Sequence, residues 1–343
     1  MTDRKTIDDT DGEPAGNPVG RRGFLRTAVA GAAVLPVMGA LGGTAEAAEP
    51  TPTASPTASP TATPPTGDPV FRWLGTSGWR MESGGKNVLF DPYITRFDTG
   101  LAKGAFNPRT ELSVRPDLVT EHAGRPDLIL VSHSHWDHVS DVPYLATTGA
   151  APIVATQTTC HLLQAMGVDP GRLVVVKGGE VLDFGYCTVE VVASLHSRNA
   201  SYRYFAPGTL TAPPATRPAT IADLPEGDTL AFQIRFGDGP AAFLMGASDF
   251  VERNLSGLRP DVAMIAVPSS KATHRYVPRL LRALGNPRTV VPVHWDNFEI
   301  PLADPAVQDP AMDLAGLVAE VRHAAPGTRI VTPEHLAPLR FGR

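Results

Sequence analysis

The sequence predicts a layered α/β protein. Between residues 70 and 295, short runs rich in β-branched and aromatic residues alternate with turn residues and, later, with helix-like stretches. Several of these runs are apolar along their whole length, which is typical of sheets covered by helices. The composition, 42% hydrophobic and 19% charged, is that of a globular protein able to bury a sizeable core.

Residues 1–47 are predicted to be an export signal. The segment RRGFLR at 21–26 is followed by a mildly apolar stretch, and the A-x-A pattern at 45–47 marks a cleavage site. This layout is that of a twin-arginine signal, which predicts recognition by the twin-arginine export machinery and an extracellular or cell-envelope location. A membrane anchor is the alternative, but the apolar run at 27–43 is short and glycine-rich for a span.

Residues 48–69 form a Pro/Thr/Ser-rich tract that predicts an extended linker, and the folded domain is expected at 70–343. Cys160 and Cys187 are the chain's two cysteines, too few for a disulfide framework even in an exported protein. The net charge of −5 and the pI near 6.1 argue against nucleic acid as a partner, because non-specific binding to it needs a basic surface.

The predicted elements follow in order along the domain. The strand patterns lie at 70–75, 79–83, 87–93, 127–133, 152–156, 173–176, 188–196, 230–236, 241–249, 262–268 and 289–295. The helix-like stretches lie near 139–147, 158–167, 277–285 and 313–325. Helices between apolar strands are the pattern from which the layered architecture is predicted.

Three histidines and an aspartate follow directly after the apolar run at 127–131. They are His133, His135, Asp137 and His138. Polar groups at the end of a buried strand face the edge where open α/β sheets build their sites. Imidazoles and carboxylates crowded this closely are costly unless they titrate or bind a cation, so the pattern favours a divalent metal site.

This H-x-H-x-D-H loop resembles the signature of the metallo-β-lactamase fold superfamily. Further residues of the family's ligand series follow in order, each at a predicted strand end: His196, Asp249 and His294. The resemblance covers about Trp73 to His294. It implies a four-layer αββα sandwich and a metal-dependent hydrolase.

Carried over by resemblance, one metal ion would be held by His133, His135 and His196. The second would be held by Asp137, His138 and His294, with Asp249 bridging the two. A metal-bridging hydroxide would be the nucleophile, which gives Asp137 and Asp249 their catalytic role. Zinc is the expected metal, with manganese and iron as alternatives because imidazole and carboxylate suit all three. Asp91 matches a position that supports a ligand histidine, but a simple turn aspartate before Pro92 is an equal alternative.

The segment at 71–93 resembles the lactonase-like group that includes ascorbate-6-phosphate lactonase and N-acylphosphatidylethanolamine phospholipase D. Thr76 departs from that group, where a histidine is common. Asp249, with no cysteine ligand, departs from most true β-lactamases of the fold. The expected reaction is therefore cleavage of an ester, lactone, amide or phosphodiester bond in a small-molecule or lipid-like substrate. The alternative is a metal-binding protein of the same fold without hydrolytic activity, in a redox or envelope binding role.

The long, proline-bearing segment 197–229 follows His196 and is a candidate lid over the site. Its polar and aromatic residues, together with residues at two other strand ends, are candidate substrate contacts. These candidates are Arg198, Tyr202, Tyr204, Lys271, His274, Trp136 and Trp295. Each of them also has an ordinary alternative: the aromatic rings can pack against the sheets, and the charged groups can lie in solvent.

Overall fold

The structure is a computed structural model, and it describes residues 68–303 and 305–342. The predicted signal at 1–47 and nearly all of the predicted linker at 48–69 lie outside these residues, so both stay predictions. Within the described part of the chain, none of the helices is both long enough and apolar enough to cross a membrane.

Within the described residues, fourteen strands form two sheets. In chain order they are β1 (Val70–Trp73), β2 (Trp79–Ser83), β3 (Lys86–Phe90), β4 (Leu128–Leu130), β5 (Ile153–Ala155), β6 (Leu173–Val175), β7 (Val181–Asp183), β8 (Cys187–Ala193), β9 (Leu230–Phe236), β10 (Ala241–Met245), β11 (Val262–Ala266), β12 (Thr289–Val293), β13 (Arg329–Ile330) and β14 (Pro338–Leu339). The first sheet has the order β14-β1-β2-β3-β4-β5-β6, and the second has the order β13-β12-β11-β10-β9-β8-β7. Each sheet contains both parallel and antiparallel pairs. Strands β3 to β6 pair in parallel in the first sheet, and strands β10 to β13 do so in the second.

The two sheets pack face to face, and the alternation of side chains along a strand explains how. In β4, Leu128 and Leu130 point into the core shared with the second sheet, whereas Ile129 points to the opposite face. The rings of Phe90 and Phe232 meet across this core with their centroids 6.0 Å apart. Because both faces of the strand are buried, the run is apolar throughout.

Six α-helices in residues 68–303 and 305–342 cover the outer faces of the sheets. They are α1 (Pro116–Ala123), α2 (Trp136–Val139), α3 (Val142–Thr147), α4 (Gln157–Ala165), α5 (Tyr276–Ala283) and α6 (Leu314–Ala324). Helices α1, α3 and α4 bury Val119, Leu145 and Leu162 in a second core against the first sheet. Helices α5 and α6 pack against each other, and α6 packs on β12. The predicted α/β class and αββα sandwich are confirmed.

The elements that the sequence did not predict are short or polar. Strands β13 and β14 have two residues each, and all three residues of β7 are at least partly exposed. Helix α1 buries only two of its residues, so its apolar periodicity is weak. Strands β4, β8, β10 and β12 all end at the edge where the predicted ligands lie.

Candidate metal centre

The loop after β4 presents the first four predicted ligands from one short segment. His135 has an extended backbone, and α2 begins immediately after it. The His135 carbonyl accepts the amides of His138 and Val139 at 3.0 and 3.1 Å. The switch from extended chain to helix turns Asp137 and His138 back toward the preceding histidines. All four side chains are buried.

Three histidines form the first ligand group: His133, His135 and His196. Their closest available nitrogen atoms all lie within 4.8 Å of one another. His196 comes from the chain after β8 and thus from the second sheet. Burial lowers the pKa of all three imidazoles, and the charges of neighbouring histidines lower it further. The pKa falls to about 3 for His135 and to about 4 for His196. At neutral pH these rings are neutral and present lone pairs.

Asp137, His138 and His294 form the second ligand group, also within 4.8 Å. Asp137 Oδ2 lies 3.1 Å from His294 Nε2 and 3.4 Å from His138 Nε2. Burial lowers the pKa of His138, but Asp137 and Asp91 outweigh it and raise that pKa to about 10. Burial also raises the pKa of Asp137, yet the two histidines hold it well below its usual range. The carboxylates of Asp137 and Asp91 thus favour the protonated form of His138. The same carboxylates would favour a metal cation at this position.

Asp91 lies beneath both groups and orients their histidines. Its Oδ1 accepts the Ser132 amide at 2.7 Å, and its Oδ2 accepts the Ser132 hydroxyl at 2.6 Å and lies 2.8 Å from His138 Nδ1. The Ser132 hydroxyl oxygen in turn lies 2.9 Å from His133 Nδ1. Because these contacts occupy Nδ1 of both histidines, Nε2 of His133 and of His138 faces the ligand groups.

The surroundings of Asp91 are tight. A Cβ atom at Gly246, just after β10, would lie 2.2 Å from Ser132 Oγ and 2.8 Å from Asp91 Oδ2, so only glycine fits there. Asp91 itself has φ of 42°, an uncommon value that aspartate tolerates better than most residues. The structure thus favours the orienting role of Asp91 over that of a simple turn residue.

His294 has φ of 61°, in the left-handed region. Its amide donates to the Thr76 carbonyl at 2.7 Å, and the Thr76 amide donates to Asp296 Oδ1 at 2.9 Å. A buried ion pair of 2.5 Å joins Asp296 to Arg96. This chain of contacts compensates for the strained backbone and fixes the direction of the imidazole.

The residues present fit divalent metal ions. His133 Nε2 and His135 Nδ1 lie 3.2 Å apart in the first group, and Asp137 Oδ2 lies 3.1 Å from His294 Nε2 in the second, so each group brings its ligand atoms close enough for one cation to contact them. His196 Nδ1 lies 2.9 Å from the Ser197 carbonyl, so its Nε2 is the free atom. Imidazole nitrogens with a carboxylate suit zinc, manganese and iron.

Asp249 belongs to neither ligand group. Its Oδ2 lies 3.7 Å from Arg198 Nε, and its Oδ1 accepts the Phe250 amide at 2.9 Å. Burial raises the pKa of this carboxyl, against the opposing effect of Arg198. A backbone bridge pairs Asp249 with Leu195, which places it beside His196. Its bridging role stays a prediction.

A cavity of about 250 Å³ opens beside the two groups. Of the predicted substrate contacts, Trp136 lines this cavity. Trp295 does not line it: its ring belongs to the core between the sheets and packs on Trp73, with the ring centroids 5.1 Å apart. This removes Trp295 from the predicted pocket wall.

The remaining predicted contacts lie to one side. Arg198, Tyr202 and Lys271 line a neighbouring cavity of about 390 Å³. The Arg198 guanidinium lies 4.2 Å from the Tyr204 ring centroid and donates to its hydroxyl at 2.6 Å. His274 is exposed and lines neither cavity.

Sequence reasoning missed several residues of the site. Ser77 and Ser132 hydrogen-bond Asp91, and Phe205 and Phe298 line the cavity. Ser132 could have been identified because it directly precedes His133, and Phe298 because it directly follows the 294–297 segment. The contact of Ser77 with Asp91 could not have been predicted, because nothing in a single sequence shows which loops meet.

Comparison with known proteins agrees with this site. A family model described as a beta-lactamase superfamily domain matches residues 70–294. A metal-dependent hydrolase from Cupriavidus necator is 27% identical over 293 residues, covering 82% of this chain and 93% of that protein. Among solved structures, Igni18, a metallo hydrolase from Ignicoccus hospitalis, has a TM-score of 0.52 at 18% identity and covers 81% of this chain and 100% of that one.

A second solved structure, CmlA, a diiron beta-hydroxylase from Streptomyces venezuelae, has a TM-score of 0.52 at 13% identity. The match covers 80% of this chain and 54% of that one, and at this identity it shows the fold alone. The match over 70–294 covers the ligand loop, strands β1 to β12 and every predicted ligand. The chain belongs to the beta-lactamase superfamily domain family and is a metal-dependent hydrolase of the metallo-β-lactamase fold.

Proposed function

We propose that this hydrolase works with two metal ions, one at each ligand group, and that Asp249 completes the site between them. The observation that carries the proposal is the pairing of the two groups at one sheet edge. Each group gathers three ligand side chains from both sheets, all of them buried except the half-buried His196, and His133 Nε2 lies 3.2 Å from His135 Nδ1 in the first group. Zinc is the expected ion.

Two bound ions would lower the pKa of a shared water toward neutrality and polarise the bond under attack. The chain's own residues prepare that chemistry. The neutral rings of His133, His135 and His196 supply lone pairs, and Asp91 holds His138 in position. Asp137 supplies negative charge between His138 and His294.

The bond that is cleaved is proposed to be an ester, lactone, amide or phosphodiester, as in the lactonase-like and phospholipase D-like branch. The resemblance of segment 71–93 and the use of Asp249 in place of a cysteine support this branch. Export by the twin-arginine route is also proposed, supported by the RRGFLR segment and the A-x-A site at 45–47. A folded cargo of that route would leave the cytoplasm with its metal already bound.

The first experiment measures hydrolysis by the mature chain from Ala48, using a nitrophenyl phosphodiester, a nitrophenyl ester and a lactone, each with and without chelator. Chelator-sensitive cleavage of one class assigns the bond. Bound metal is counted on the same sample, and about two ions per chain is the expected result. About one ion or fewer, in protein prepared with adequate metal, contradicts the dinuclear proposal.

The matched variants are His196→Ala, at the site, and His323→Ala, an exposed histidine at the end of α6. We expect His196→Ala to lose both metal and activity, while His323→Ala keeps both. Full activity in His196→Ala would remove this histidine from the site.

A further inference from the structure

We propose that the 250 Å³ cavity binds an uncharged, apolar group of the substrate, attached to the bond that is cleaved. This inference rests on the proposed function and deepens it by naming the substrate class. The large side chains that line the cavity beside the ligand groups are apolar: Leu101, Trp136, Phe205, Phe298 and Met312. The polar residues that also line it, Ser197, Asn199 and Ser269, are small and uncharged.

The aromatic walls contact the ligand groups directly. The Phe205 ring centroid lies 5.4 Å from that of His135, in the first group, and the Phe298 centroid lies 5.2 Å from that of His294, in the second. Trp136 connects the two walls, 5.8 Å from Phe205 and 6.5 Å from Phe298. A group attached to a bond held at the ligands would therefore lie against these rings.

Apart from the histidines of the ligand groups, the described residues that line the cavity offer no positive side chain to an anion. Among the described residues that line it, none is lysine or arginine, and the only carboxylate is that of Asp137. Arg198 and Lys271 line the neighbouring cavity instead, and each already faces a carboxylate: Asp249 at 3.7 Å and Asp313 at 2.5 Å. An anionic group lying against the apolar side chains, away from the ligand groups, would lose its hydration without a compensating side-chain charge.

The mouth of the cavity holds two large apolar side chains in partly exposed positions. Leu101 is 38% exposed and Phe205 is 39% exposed. Leu101 is fixed by Glu299, whose carboxylate accepts the amides of Thr99, Leu101 and Ala102 at 2.8 to 2.9 Å. Apolar side chains fixed at a cavity mouth are typical of a binding surface for an apolar ligand.

The volume limits the size of this group. Water occupies about 30 Å³ in the liquid, and a methylene is of similar size, so the cavity accommodates roughly eight methylene-sized units. Each buried methylene should improve binding about fourfold until the cavity is full. We therefore expect a preference for apolar groups of intermediate length.

The binding test uses a pair of fluorescent probes that differ in charge: uncharged N-phenyl-1-naphthylamine and its anionic sulfonate, 8-anilino-1-naphthalenesulfonate. Both are titrated into the metal-loaded mature protein. We expect the uncharged probe to bind about tenfold more tightly or better, because only it avoids desolvating a charge. Equal or tighter binding of the sulfonate would overturn the proposal.

The variants locate the binding site. Phe205→Ser and Leu101→Ser should each weaken the uncharged probe about tenfold, and Val181→Ser should leave it unchanged. Val181 is a suitable control because it is 68% exposed, lies on β7 and lines neither cavity. Equal loss in all three variants, or no loss at Phe205 and Leu101, would place the probe elsewhere on the surface and refute the assignment.

The substrate test uses nitrophenyl esters with acyl chains from two to twelve carbons, followed as kcat/KM. We expect a rise of about fourfold per methylene that stops near eight carbons. If the probes behave as expected but no ester, lactone or phosphodiester is cleaved, the proposed function fails and the apolar site stands. If cleavage depends on metal but not on chain length, the apolar site fails and the proposed function stands.

Discussion

Asp91 shows how one buried residue can organise two ligand groups. Its carboxylate contacts Ser132, Ser77 and His138, and through Ser132 it reaches His133. Each group thus has one histidine whose Nδ1 is fixed by the same carboxylate, directly or through a hydroxyl. Such supporting contacts set which nitrogen faces the metal and make the imidazole a better ligand.

Replacing Asp91 by Asn should lower metal affinity about 10- to 100-fold without removing any ligand. The amide carries no charge, so the interactions with His138 Nδ1 and the Ser132 hydroxyl weaken. The measurement is metal affinity by competition with a chromophoric chelator, with the fold checked by circular dichroism. Asp98→Asn is the control, because Asp98 is an exposed carboxylate paired with Lys103. A folded Asp91→Asn protein with unchanged affinity would contradict the orienting role.

At the level of elements, the short segment that follows β12 carries several residues whose contacts lie far away in the sequence. Within 294–299 it carries His294, the ion-pair partner Asp296, the cavity wall Phe298 and the anchor Glu299. Sequence reasoning found only His294. The partners of Asp296 and Glu299 lie about 200 residues away, at Arg96 and Thr99, so no local pattern could reveal them.

The sequence predicted most of the strands, and six of the seven side chains predicted as ligands are grouped in the structure, because both depend on local patterns. Apolar runs followed by histidine or aspartate are visible in the chain itself, and the six grouped side chains all follow such runs, Asp137 and His138 on the short helix α2. The contacts of Asp249 with Arg198 and of Trp295 with Trp73 depend on the direction of a side chain after the strand has ended. That direction is set by tertiary packing, which periodicity does not encode.

Asp296→Asn should destabilise the protein by about 3–5 kcal/mol at pH 7, because it leaves the fully buried Arg96 guanidinium without its charge partner. The double variant Arg96→Met with Asp296→Asn should recover much of this loss, since the unpaired charge is gone and Asn still accepts the Thr76 amide. Urea unfolding of the three proteins measures the free energies. A double variant as unstable as the single one would contradict this account.

The same ion pair predicts how the free energy of unfolding falls at acidic pH. Burial raises the pKa of Asp296, but Arg96 and His335 outweigh it and hold that pKa below its usual range. The unfolded chain therefore binds this proton first as the pH falls. The stabilisation by Asp296 is complete above about pH 4 and is lost below it, toward the folded pKa. Urea unfolding curves measured between pH 5 and 3 should show that the free energy of unfolding falls more steeply with decreasing pH in the native sequence than in the double variant.

For the molecule as a whole, the two ligand groups connect the two sheets. The first group joins His133 and His135, after β4, to His196, after β8. The second joins Asp137 and His138, beside the first sheet, to His294, after β12 of the second. A metal ion in either group would therefore cross-link both halves of the sandwich, and its binding free energy would contribute to the stability of the entire fold.

Removing metal should therefore destabilise the complete domain and not only the loops that carry the ligands. At a free metal concentration 100 times the Kd, one site adds about 2.7 kcal/mol, which corresponds to roughly 5–10 °C in Tm. Calorimetry with and without chelator measures the shift. His133→Ala should show a smaller shift because its first group is incomplete, whereas His323→Ala should keep the full one. If chelation removed the metal and left Tm unchanged, the ions would not connect the two sheets.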